Sequence, residues 1–162
     1  METTNPVPTA TYVGLDVAKD RLDYTVDDTR CDHVPNTESG HERLLATLRQ
    51  VKGVRVICES TGGYERALVA KLLQAKIEVC VVNPGRVRAF AQAEGLLAKT
   101  DRLDAHLLRR FGQKVQPRLH APMDQAAIVL RELLDYRRQV SDQLVAVRNR
   151  LDLAGKVLRA RL

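Results

Sequence analysis

Nowhere in this sequence does an apolar run approach the ~18–20 residues that a membrane-spanning helix requires, so a helical membrane span is excluded. Cysteine is scarce. Cys31, Cys58 and Cys80 are far apart and form no C-x-x-C pair, which argues against a disulfide framework and against a zinc site. Cys58 and Cys80 fall in apolar, strand-like runs. Reduced, buried thiols are expected there, and with them a cytoplasmic location. The opening METTNPVPTA has neither the charged start nor the greasy middle of a signal peptide and reads as a loose tail over residues 1–10. Serine is also scarce: Ser39, Ser60 and Ser141 are the only three, and none sits in a G-x-S-x-G elbow. His33, His41, His106 and His120 are scattered, so no Ser/His/Asp set emerges. There is no internal repeat and no low-complexity tract.

What remains is one ordinary domain, or a small domain with an appendage, in 162 residues of which 44% are apolar. The charge is unevenly placed. Residues 1–80 hold 10 Lys and Arg against 12 Asp and Glu, a net of −2; residues 81–162 hold 16 against 8, a net of +8. A basic back half suits a polyanionic partner, although a solvated helical face would carry the same charge.

The first strand is read from the alternation in YVGLDVAK (12–19), with Val13, Leu15 and Val17 on one face and Tyr12, Gly14 and Asp16 on the other. RLDYTV (21–26) and CDHVPN (31–36) continue an antiparallel meander across the turn DDTR. Ser39 and Gly40 introduce a helix, HERLLATLRQV. VRVICES (54–60) is a buried strand, residues 62–76 a helix, and IEVCVVNP (77–84) another buried strand halted by Asn-Pro. Three strands followed by helix, strand, helix, strand predict an α/β mixed sheet with helices on its faces. Residues 85–95 are expected as a helix broken by Gly95. Residues 100–113 form another, capped by Thr100 or Asp101, with Gly112 as its stop. A proline-bearing linker is placed at 115–125, leaving residues 126–162 as a last helix. In that helix positions 130, 133, 137, 140, 144, 147, 151, 154 and 158 follow 3-4 spacing and are apolar except at Arg137. About four heptads of this kind predict a coiled coil, and so a homodimer or higher oligomer.

Carboxylates inside apolar strands are the anomaly. Burying a charge costs several kcal/mol unless it is paired or binds metal, and both Asp16 and Glu59 sit late in such strands. If the two strands are neighbours, the pair faces across one sheet edge, where a cation between them removes their repulsion. An all-oxygen set prefers Mg²⁺ or Mn²⁺. Asp101 and Asp104, three apart on one helix face with Cβ atoms roughly 5–6 Å from each other, would complete four carboxylates able to grip a scissile phosphate through metal. Helix capping and the helix dipole explain these last two equally well. Ser60-Thr61-Gly62-Gly63 directly follows Glu59, and its backbone N–H groups are candidates for holding a phosphate. Lys99, Arg102, Arg86 and Arg88 are the candidate contacts to nucleic-acid phosphates, with solvated surface charge as the plainer reading.

YVGLDVAKD, then CESTGGYE, then NPGRVRAFAQAEGLLAKTDRLDAHLL, resemble as an ordered set the amino-terminal domain of the DEDD transposases. These are bacterial insertion-sequence recombinases related to the pilin-gene invertases. The resemblance spans residues 12 to about 113, and a following coil is typical. It implies a ribonuclease-H-like, Holliday-junction-resolvase-like domain over residues 11–114. It implies an acidic tetrad of Asp16, Glu59, Asp101 and Asp104 binding Mg²⁺. It further implies DNA recombination, guided in some members by a structured RNA. Family members carry a second domain with a nucleophilic serine; no serine here corresponds to it, so that domain is expected to be absent from these 162 residues. Two other readings stay open: an autonomous resolvase-type nuclease using metal-activated water, and a non-catalytic, dimerising nucleic-acid-binding module whose carboxylates are structural.

Overall fold

A computed structural model describes residues 10–96, 101–122 and 125–153; the side chains of residues 101–103, 125, 132 and 153 lie outside that description. Thr11–Val17 (β1), Arg21–Thr25 (β2) and Asp32–Pro35 (β3) form the expected meander. Then come Glu38–Leu48 (α1), Val54–Glu59 (β4), Arg66–Gln74 (α2), Glu78–Val82 (β5), Pro84–Ala93 (α3), Asp101–Val115 (α4) and Gln125–Leu153 (α5). The five strands make one sheet in the order β3-β2-β1-β4-β5. β2 runs antiparallel to both β1 and β3, while β1, β4 and β5 are parallel. This is a ribonuclease-H-like mixed sheet. Among the described residues no helix is long and apolar enough to cross a membrane.

Alternation sorts the strand residues into two cores. Val13, Leu15 and Val17 of β1, Leu22 and Tyr24 of β2, and Val56 and Cys58 of β4 face the leucines of α1 and α2. Tyr12, Ile57, Cys80 and Val82 face the other way, toward Val87 of α3 and Leu108 and Phe111 of α4. Cys58 and Cys80 are buried free thiols, and burial pushes the Cys58 thiol well up and that of Cys80 to about 11.

Several element ends differ from expectation, each for a local reason. α1 starts earlier than Ser39, because Thr37 is the N-cap and its hydroxyl accepts from the Gly40 N–H. α2 starts later than residue 62: Gly62 and Gly63 have φ of +78° and +127°, which no helix accommodates. Asn83 caps α3 and Pro84 is its first residue, so Asn-Pro opens a helix as well as closing a strand. Gly112 does not stop α4. It is buried inside that helix, which continues to Val115 and ends where Gln116 takes a left-handed φ of +46°.

The chain divides after Ala121 into two compact units. Residues expected as free linker are anchored to the first of them. The Cys80 thiol donates to the Pro117 carbonyl at 3.3 Å and the His120 N–H to the Val79 carbonyl at 2.7 Å. This segment covers the edge strand β5, whose backbone groups would otherwise be open to another strand. The second unit contains α5, 29 residues long. Leu130, Leu133, Val140, Leu144 and Val147 are exposed along it. The expected heptad positions Ala154 and Leu158, and the tail at residues 1–9, lie outside the described residues.

Candidate metal centre

Asp16 and Glu59 meet the expectation of neighbouring strands. The β1–β4 register runs from the Thr11–Val54 pair to the Leu15–Cys58 pair. Asp16 and Glu59 each follow that last pair by one residue. By alternation Asp16 shares its face with Tyr12 and Gly14, and Glu59 shares its face with Ile57. That is the face α4 covers. Both carboxylates are half-buried. They stand at the carboxyl ends of two parallel strands whose onward connections diverge, β1 into β2 and β4 into α2, the type of crevice in which open α/β sheets hold ligands.

The direction of α4 is set by two glycines. A Cβ on Gly14 would lie 1.8 Å from the carbonyl oxygen of Ala105, so helix and strand backbones are in contact there. A Cβ on Gly112 would lie 2.5 Å from Ile57 Cγ1 and 2.7 Å from Tyr12 Cδ1. Moving along α4 from residue 105 to 112 thus means moving back along β1 from residue 14 to 12. The helix is antiparallel to β1, and its first turn, with Asp101 and Asp104, is directed toward the end of β1 that carries Asp16. Arg109 fastens this arrangement: its Nε donates to the carbonyls of Tyr12 and Val26, both at 3.1 Å, and its guanidinium also pairs with Asp28. Asp104 is half-buried, whereas the side chain of Asp101 lies outside the described residues. Among the described residues no three His, Cys, Asp or Glu side chains form a group that would by itself hold a metal ion. In donor chemistry the set is all carboxylate oxygen, which fits a hard divalent cation, while the positive end of the α4 dipole favours the ionised form of the carboxylates in its first turn.

Sequence reasoning missed Asp23. It is the cross-strand partner of Asp16, it is buried, and its Oδ1 accepts from Nε and Nη2 of Arg21 at 3.0 and 2.5 Å. Like charges directly opposite one another are unfavourable in a sheet, and Arg21 offsets this one. The signal was available: Asp23 lies on the polar side of the alternation in RLDYTV.

Glu65 was missed as well. Its Oε2 accepts from the Thr61 N–H (3.2 Å), the Thr61 hydroxyl (2.8 Å) and the Gly63 N–H (2.9 Å). Burial opposes ionisation of this carboxyl, but the hydrogen bonds outweigh it and hold the pKa below the ordinary value. The donors expected to meet a phosphate at Thr61 and Gly63 are therefore engaged by the chain's own carboxylate. The Ser60 N–H likewise donates to the Val82 carbonyl, at 3.0 Å. Of the expected cations, Arg86 and Arg88 are exposed on α3, with the Arg86 guanidinium 5.9 Å from the Phe111 ring centroid. Lys99 and the side chain of Arg102 lie outside the described residues.

Comparison with known proteins agrees with this architecture. A family described as transposase, the DEDD type of the IS110 group, matches residues 13–154. The chain is 33% identical over 147 residues to the pilin gene-inverting proteins of Moraxella lacunata and Moraxella bovis, covering 86% of this chain in each case. It spans about half the length of these curated relatives, 46% of each. On these matches, the chain belongs to the DEDD transposase family.

Proposed function

We propose that this chain is the metal-binding domain of a DNA transposase or site-specific recombinase, in which Asp16, Glu59, Asp101 and Asp104 hold Mg²⁺, with Mn²⁺ able to take its place. Membership in the family implies a divalent cation. The observation that carries the reading is the antiparallel seating of α4 on β1, which directs the first turn of α4 to the strand end where Asp16 and Glu59 adjoin. When bound, the cation supplies Lewis-acid stabilisation of charge developing on a scissile phosphate. The chain's own part is to hold four hard oxygen ligands at one end of a rigid sheet and to direct a helix N-terminus toward the same point.

Lys99, Arg102, Arg86 and Arg88 then contact the DNA backbone, as does Ser60 through its hydroxyl, since its N–H is engaged by Val82. At Thr61 the donors already bonded to Glu65 favour a supporting role. The net charge of +8 on residues 81–162 favours such a polyanion, and binding should weaken steeply with salt. The pilin gene-inverting relatives bear names that describe DNA inversion, and DNA strand cleavage and exchange is the corresponding reaction in which this domain would take part. A structured guide RNA is the second nucleic acid the resemblance implies. The exposed apolar positions of α5 support pairing with a second copy as a coiled coil.

Titration calorimetry with Mn²⁺ tests the site. The chain should bind the ion, and the double variant Asp16→Asn, Glu59→Gln should abolish binding. A chain that gives no metal-dependent heat, alone or with duplex DNA, overturns the reading in favour of a module whose carboxylates are structural. Cleavage of branched DNA by this chain alone would instead favour a nuclease.

A further inference from the structure

The pairing of β1 with β4 stops at Leu15 and Cys58. Past that point each strand keeps other company: Asp16 is opposite Asp23 of β2, and Glu59 is opposite Val82 of β5. The two carboxylates therefore adjoin where the register between their strands has ended. Their separation is set by those outer pairings and by what ties the chain together just beyond them.

Among the described residues, the Asn36 side chain makes such a tie. Asn36, immediately after β3, donates from Nδ2 to the Ala18 carbonyl at 2.9 Å and to the Tyr64 carbonyl at 3.3 Å. Ala18 is two residues past Asp16, and Tyr64 is five past Glu59. The Asn36 backbone N–H also donates to the Asp20 carbonyl at 3.0 Å, seating the residue in the turn between β1 and β2. One amide thus spans the two segments that leave the candidate ligands. The Tyr64 end is itself held, because Glu65 grips the inside of the same turn through Thr61 and Gly63.

The orientation of this amide is determined by its partners. Two carbonyls face Nδ2, so Oδ1 is the atom that meets His41 Nε2 at 2.7 Å. An amide oxygen only accepts, so His41 carries its proton on Nε2. Its Nδ1 is then a bare acceptor, and it has no hydrogen-bond partner among the described residues. His41 is only 4% exposed. Burial, and after it the neighbouring Lys71, lower the imidazole pKa below its ordinary value against the opposing pull of Glu38 and Glu42. A buried unsatisfied nitrogen destabilises a fold, and an apolar residue at this point of α1 would avoid that. What the histidine contributes here is a donor aimed at one asparagine.

We propose that Asn36, oriented by His41, is a positioning residue: it sets the separation of the segments after Asp16 and Glu59, and so the geometry in which these carboxylates share a divalent cation. This rests on the metal-site reading above. Neither side chain touches the cation. Both act through the backbone of the two turns, one step further out than partners bonded to the ligands themselves.

The test is Mn²⁺ binding by the 162-residue chain, followed by the electron paramagnetic resonance signal of the free ion, with circular dichroism melts run beside it. Asn36→Ala should weaken Mn²⁺ binding about tenfold, the low end of what partners bonded to the ligands contribute. His41→Leu should weaken it similarly. His41→Gln, whose amide nitrogen can still donate to Asn36 Oδ1, should restore most of the affinity. A purely structural role predicts lower melting temperatures with unchanged affinity in Asn36→Ala and His41→Leu, and that result overturns the proposal. Should Asn36→Ala fail to fold, the two His41 variants decide: equal affinities in them overturn it. If Asp16→Asn binds Mn²⁺ as the unaltered chain does, the metal-site reading fails first and takes this inference with it.

Discussion

The carbonyl oxygen of Ala105 lies 1.8 Å from the point where a Cβ on Gly14 would stand, and the Arg109 backbone nitrogen lies 2.6 Å from it. α4 rests its backbone directly on β1 at this contact. The direction of the helix, and with it the destination of its first turn, follows from that seating.

Gly14→Ala is therefore expected to lift α4 from the sheet. Neither obstructing atom belongs to a flexible side chain, so relief requires displacement of an entire helix. The destabilisation should be about 3 kcal/mol, at the upper end of ordinary overpacking. Urea unfolding monitored by circular dichroism measures it. A midpoint unchanged from that of the unaltered chain would mean that helix and strand are not in backbone contact.

Glu65 makes a prediction in pH. Its folded-state pKa lies below the ordinary 4.5, so its contribution is fully present above that value and is lost as pH falls through the lower, folded one. Glu65→Gln keeps the shape and removes the charge. The variant should be less stable by about 1.5–3 kcal/mol at neutral pH, the range for hydrogen bonds to a charged group. The difference should shrink as pH falls below 4.5. Denaturant melts at neutral pH and well below pH 4.5 decide it, and a difference independent of pH would contradict the hydrogen-bonding account.

Arg137 is the one charged residue among the expected seam positions of α5. If the helix pairs with a second copy, Arg137→Leu should tighten association by about tenfold or more, since burying one leucine side chain contributes roughly 1.5–3 kcal/mol. Sedimentation equilibrium at several concentrations measures this. Monomers in both proteins would show that the seam is not a dimer interface.

The sequence and the structure part at identifiable residues. Period-2 alternation in β1 was enough to put Asp16 opposite in face to Val13, Leu15 and Val17. It could not reveal that Asp23 would be its cross-strand partner, because register is a relation between segments. Gly112 was read as a helix stop, since a glycine near a helix end usually is one. Its actual use is to let α4 approach Ile57 and Tyr12, a contact 55 and 100 residues away in the chain. Residues 115–125 looked like linker because of their two prolines; the hydrogen bonds that anchor Pro117 and His120 come from Cys80 and Val79 of β5. The paired glycines after Glu59 were legible as a turn. That the donors of that turn are taken by Glu65 was not, since a glutamate four residues past a threonine has many other uses.

By itself the sequence indicated the strands and helices, the two faces of each strand, and Asp16 and Glu59 as anomalous strand carboxylates, because periodicity and residue chemistry are local properties; Asp101 and Asp104 joined them through the family resemblance. Only the tertiary structure decided that β1 lies beside β4 with Asp16 and Glu59 both one step past the last pair, that α4 runs antiparallel to β1, and that Asn36 bridges the two turns beyond. These depend on register, on helix direction and on hydrogen bonds between distant segments. They are selected by how the whole core packs, and no short window of sequence contains them.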